Sequence, residues 1–95
     1  MKQVTKNAVA TFNNKGNGTF SNTKVVTENG VTSMFLFGNK IAEEKEGVLR
    51  ISNAGWESNT TKERLNALNG VSISQKNFVW FLNGQEWNGN WKQIN

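Results

Sequence analysis

Apolar residues in this chain fall into short runs separated by glycines and Asn-Gly pairs, a pattern that predicts β-hairpins. VTSMFLF at 31–37 is the strongest strand. A loosely alternating stretch from Phe20 to Thr27 and a tight turn at Glu28-Asn29-Gly30 precede it, and Gly38-Asn39 ends it. Lys40 to Glu44 and Val48 to Ser52 then pair across Lys45-Glu46-Gly47, with Leu49 and Ile51 facing inward. VSISQK at 71–76 alternates with Val71 and Ile73 on one face. NFVWFL at 77–82 follows and closes on a type I′ turn at Asn83-Gly84. The start is weaker. NAVATFN at 7–13 predicts a marginal first strand, NNKGNG at 13–18 a loop, and residues 1–18 together a loosely ordered basic segment of a single domain, 1–95.

One stretch breaks the two-residue alternation. SNTTKERLNALNG at 58–70 predicts a short helix over about residues 60–69, with Thr60 and Glu63 spaced as a capping box and Gly70 as a left-handed stop. Ser58 or Asn59 are alternative caps. Thr61, Leu65 and Leu68 share one stripe, flanked by Lys62 and Arg64, with Glu63 opposite. A DNA-reading helix gathers its basic side chains on one exposed face. This one splits them, so it reads as a lid over a core.

NFVWFL is apolar on both faces: Phe78, Trp80 and Leu82 point one way, Val79 and Phe81 the other. A helix of this size is roughly 14 Å long and covers part of one sheet face only. The expected fold is therefore α+β: a β-rich small domain whose antiparallel sheet curls, or closes into a partly open barrel, with one short helix. A surplus apolar strand face is then left for self-association or for another molecule.

Composition narrows the chemistry. The chain has no His, Cys, Asp, Tyr or Pro. Only Glu remains as an ionisable metal ligand, and the usual nucleophile–base pairs cannot be assembled. No enzyme, metal site or cofactor is expected. The net charge of +4 lies entirely in residues 1–42, where Lys2, Lys6, Lys15, Lys24 and Lys40 face Glu28 alone; residues 43–95 balance. Lys2, Lys6, Lys15, Lys24 and Lys92 are thus the candidate nucleic-acid contacts, against the plainer reading of a solubilising surface. No stretch spans a bilayer, and MKQVTKNAVATF lacks the apolar block of a secretion signal, so a cytoplasmic protein without membrane contact is expected.

The last thirteen residues, NGQEWNGNWKQIN, hold Trp87 and Trp91 around Asn88-Gly89. Such a polar, turn-rich setting makes full burial difficult. Trp80, Trp87 and Trp91 are accordingly the candidate partner-binding residues, able to anchor a protein, stack on a base or stack on a sugar.

Four segments then form a wider pattern: Gly38 to Ala42 (G-N-x-I-A), Ile51 to Trp56 (I-S-N-x-G-W), Thr60 to Asn66 (T-T-K-x-R-L-N) and the Trp-rich hairpin from Trp80 to Trp91. Over residues 36–91 the chain resembles small uncharacterised proteins of bacteriophages and archaeal viruses. The resemblance implies a viral origin and carries no catalytic or ligand residues across. Three readings follow. The first is a non-enzymatic phage accessory protein in the host cytoplasm that binds and occludes a host macromolecule, such as a defence nucleoprotein. The second is a nucleic-acid-binding module using the basic half and exposed Trp residues, and the third a structural virion component.

Overall fold

A computed structural model describes residues 1–95. The elements run α1 (Gln3–Asn13), β1 (Gly18–Phe20), β2 (Thr23–Glu28), β3 (Val31–Leu36), β4 (Asn39–Lys45), β5 (Val48–Ile51), α2 (Asn59–Asn66), β6 (Ile73–Lys76), β7 (Val79–Leu82), β8 (Gln85–Glu86) and β9 (Lys92–Gln93). An antiparallel six-stranded sheet has the order β1-β2-β3-β4-β5-β9, and a separate three-stranded sheet the order β6-β7-β8. The fold is the expected β-rich α+β type. Its sheets stay open and no barrel closes.

The turns with Gly in second place behave as the sequence predicts. Asn29-Gly30, Glu46-Gly47 and Asn83-Gly84 all have both residues at positive φ (52° and 80°, 52° and 79°, 51° and 86°), the type I′ geometry that matches strand twist. Between Met34 and Phe35 the β3–β4 register slips by one residue, so Ile41 and Ala42 are both buried.

The N-terminus corrects the expectation. Residues 3–13 are a packed helix, not a marginal strand or a loosely ordered segment, and the domain has two helices instead of one. Thr5, Ala8 and Phe12 recur at i, i+3 and i+7 and are buried against the β1–β3 end of the large sheet. Val4, Thr5, Val9 and Thr11 are β-branched and weaken the helical signal; burial of the stripe outweighs them. The helix ends in a Schellman motif. Gly16 N–H donates to the Thr11 carbonyl (2.9 Å) and Lys15 N–H to the Phe12 carbonyl (3.2 Å), with Lys15 in the left-handed region.

Helix α2 covers the core as a lid, burying Thr61 and Leu65, with Leu68 just beyond its end. It starts one residue before Thr60, because Ser58 is the cap: its Oγ accepts the Thr61 N–H at 3.2 Å. The Thr60–Glu63 capping box does not form, since the Glu63 carboxylate turns toward α1. Asn66 then ties the helix to β6, accepting from Ile73 N–H (2.6 Å) and donating to Ile73 C=O (3.2 Å). One contiguous core joins Phe12, Val25, Met34, Ile51, Leu65, Trp80 and Trp87.

Candidate functional site

Arg64 is inside the protein, 2% exposed, and not on an open flank of α2. Its Nε donates to Thr23 Oγ1 (2.9 Å), Nη1 to Thr5 Oγ1 (2.6 Å) and to Glu63, and Nη2 to Asn22 Oδ1 (3.1 Å). Glu63 in turn accepts from the Lys2 backbone N–H (3.2 Å) and the Thr5 hydroxyl (2.8 Å), so it caps α1 from another helix. Burial works to raise the Glu63 pKa. The bonds from Lys2 and Thr5 and the charges of Arg64 and Lys2 outweigh it and hold the carboxyl below its ordinary value. This cluster joins α1, α2 and β2. It is structural, and Arg64 is not available to a phosphate backbone.

The tryptophans divide. Trp80 and Trp87 are core residues, their rings tilted against each other with centroids 6.3 Å apart. Trp87 overcomes its polar setting because its indole N–H donates to the carbonyl of Asn90 in its own loop (2.8 Å). As direct partner contacts, Trp80 and Trp87 are therefore corrected: both are buried. Trp91 remains 48% exposed.

Sequence reasoning missed three further exposed rings. Phe78, Phe37 and Trp56 are 91%, 67% and 58% exposed. Phe78 belongs to no strand: Asn77-Phe78 is the turn between β6 and β7, with φ 52° and 66°. Phe37-Gly38 is the matching turn between β3 and β4, with φ 50° and 81°. A bulky L-residue in the left-handed region costs roughly 1–2 kcal/mol, and Asn or Gly is the usual occupant of such a tip. Phe at both tips was legible only as the unusual pairs Phe37-Gly38 and Asn77-Phe78.

Two of the grooves that these rings line hold a pair of them each. One, of about 540 Å³, is lined by Phe78 and Trp91 over a floor of Val79, Trp80 and Trp87, with Glu57, Glu86, Asn88, Asn90 and Lys92 at its polar margin. The other, of about 240 Å³, is lined by Phe37 and Trp56 with Leu36, Ile41, Ser58, Thr60 and Thr61. Trp56 lines one and Glu57 the other, so residues 56–58 separate them. Their placement is built into the chain. Asn53 N–H and the Ser52 hydroxyl both donate to the Gly89 carbonyl (3.0 Å each), which docks the turn before Trp56 onto the turn before Trp91. A Cβ at Gly89 would fall inside the Asn53 amide, so only glycine fits there.

The lysines are not brought together. Lys2 is the N-cap of α1 and Lys6 sits on it, and the apolar stripe of this helix packs with the Val25 face of the sheet. Lys24 follows Thr23 and precedes Val25 on β2, so it points to the opposite face. Lys15 is paired with Glu44 (2.8 Å), and Lys92 lies on β9 beyond β3, β4 and β5, in the groove with Glu57 and Glu86. No group of three or more His, Cys, Asp or Glu side chains converges, and no helix is long and apolar enough to cross a membrane.

A family model, that of the Kyanoviridae Gp96 protein, matches residues 1–94, well beyond the span of the four sequence motifs. No curated protein and no solved structure matches the chain.

Proposed function

The chain belongs to the Kyanoviridae Gp96 family, hence to the phage proteins, and from that premise we propose that it acts in the host cytoplasm without catalysis, by seating its aromatic grooves on a host protein and occluding it, as an anti-defence inhibitor would. One observation carries this reading: Phe37 and Phe78 occupy left-handed turn positions, gain little burial there, and line the grooves that also hold Trp56 and Trp91. Backbone strain at exposed aromatic residues supports a contact role, since aromatic anchors dominate binding energy. The absence of His, Cys and Asp supports a binding role over catalysis.

The test pairs Phe37→Ser with Trp56→Ser, and Phe78→Ser with Trp91→Ser, followed by melting temperature and by capture of a host protein. Folded variants that lose capture by about 2 kcal/mol or more support the reading. Folded variants that bind as before remove it. A nucleic-acid module would instead lose affinity on substitution of Lys2, Lys6 or Lys24 and respond steeply to salt. A virion component would be found in purified particles.

A further inference from the structure

Three features of the larger groove bear on what kind of partner surface it takes. Its charge is the first. In a chain of net charge +4, this groove is lined by Glu57 and Glu86 with Lys92, while Lys62, 5.8 Å from the ring of Trp80 in the floor, already donates to Gln75 (2.7 Å). The two carboxylates at its margin favour a cation over a polyanion. Its rings are the second. Phe78 and Trp91 are exposed aromatic rings, a type of surface that takes a guanidinium or ammonium group, Arg best because its plane stacks while its fork meets a carboxylate.

The third is a free strand edge. β8 is the outer strand of the small sheet. Trp87 N–H returns to the Trp80 carbonyl (2.9 Å), so by antiparallel alternation the N–H and C=O of Glu86 point away from β7. Across from it, β9 is the outer strand of the large sheet, and a second cavity of about 240 Å³ runs between them, lined by Gln85, Lys92 and Gln93 among others. An unpaired N–H and C=O on a strand edge match the pattern of an extended peptide backbone.

We infer that this groove takes an extended basic segment of a partner protein, with its backbone along the free edge of β8 at Glu86 and an arginine side chain among Phe78, Trp91, Glu57 and Glu86. The inference rests on the binding role proposed above and assigns the chemistry of its partner.

The probe is a blocked peptide, acetyl-Val-Arg-Val-Arg-Val-amide, titrated into the intact chain while the Trp91 indole and Glu86 amide resonances are followed. Saturable shifts at both are expected. Affinity should fall on the order of fivefold or more when citrulline replaces arginine, and equally when Glu57→Gln and Glu86→Gln are combined. Melting temperature should stay unchanged, since both side chains are exposed. Equal affinity of the citrulline peptide overturns the inference. So does an oligonucleotide or an acidic peptide that moves the same resonances, or no shift at millimolar peptide. A concentration-dependent Trp91 shift without peptide would make the occupant a second copy of this chain, and also overturns it. Host-protein capture that survives Glu57→Gln with Glu86→Gln but is lost with Phe78→Ser and Trp91→Ser would remove the basic segment and leave the binding role standing.

Discussion

Around Arg64 the molecule buries a full charge; around Phe78 and Trp91 it leaves large apolar rings in water. Each region reverses the ordinary rule, and the difference lies in what surrounds the reversed group. The guanidinium has four side-chain partners within the fold, so its desolvation is offset internally. The rings have no such offset. Phe78 packs against little and holds an unfavourable φ besides. A buried charge that is fully partnered explains itself by architecture, whereas nothing within the fold offsets the exposed, strained ring of Phe78.

The largest expected effect breaks the first region. Arg64→Ala should destabilise the protein by about 3–5 kcal/mol, because it opens a cavity and removes the donor that Thr5, Thr23, Asn22 and Glu63 share where α1, α2 and β2 meet. Denaturant unfolding measures it. A change below ~1 kcal/mol would mean the cluster does not hold the helices together.

Next comes a contrast within the second region. Trp87→Ala should lose about 3 kcal/mol of stability, since the ring packs on Trp80 and its N–H is bonded. Trp91→Ala should change stability by less than ~0.5 kcal/mol. Thermal melts of the two variants, side by side, test the division between core and surface tryptophans.

A smaller effect appears in acid. The Glu63 carboxyl is held below its ordinary value of 4.5 in the folded state. A depressed carboxylate adds stability that is complete above the unfolded pKa and is lost as pH falls through the folded one. Melting temperature should therefore decline on acidification below about pH 4.5, and part of that decline should vanish in Glu63→Gln. Parallel pH profiles for the two proteins would remove Glu63 from the account.

The smallest is a gain. Phe78→Asn places a residue suited to the left-handed region at the Asn77-Phe78 tip and should stabilise the fold by ~0.5–1 kcal/mol. If the ring is kept for contact, the same variant should bind its partner more weakly. A stabilised variant with undiminished binding would separate strain from function and sharpen the contrast against Arg64.

The β-hairpins, the type I′ turns at Asn29-Gly30 and Asn83-Gly84, the lid role of α2 and the inward Leu65 and Leu68 are all legible in the chain, because short-range periodicity and turn chemistry decide them. The polar, turn-rich setting of Trp87 and Trp91 was legible as hard to bury, but not which of the two would stay outside: a hydrogen bond to Asn90, visible only once the loop closes, lets Trp87 be buried and leaves Trp91 half exposed. Helix α1 was masked by its β-branched residues, and Phe78 by the apolar run that continues through it.

What the sequence by itself determined was the class of the fold and the shortage of catalytic groups. Tertiary structure alone decided which rings face water, that Arg64 lies inside, and that Glu63 caps a helix 61 residues away in the chain. Local periodicity carries the first set because each element needs only its own residues. The second depends on pairings across the whole chain, where a partner's hydrogen bond or its absence sets whether a side chain can be buried.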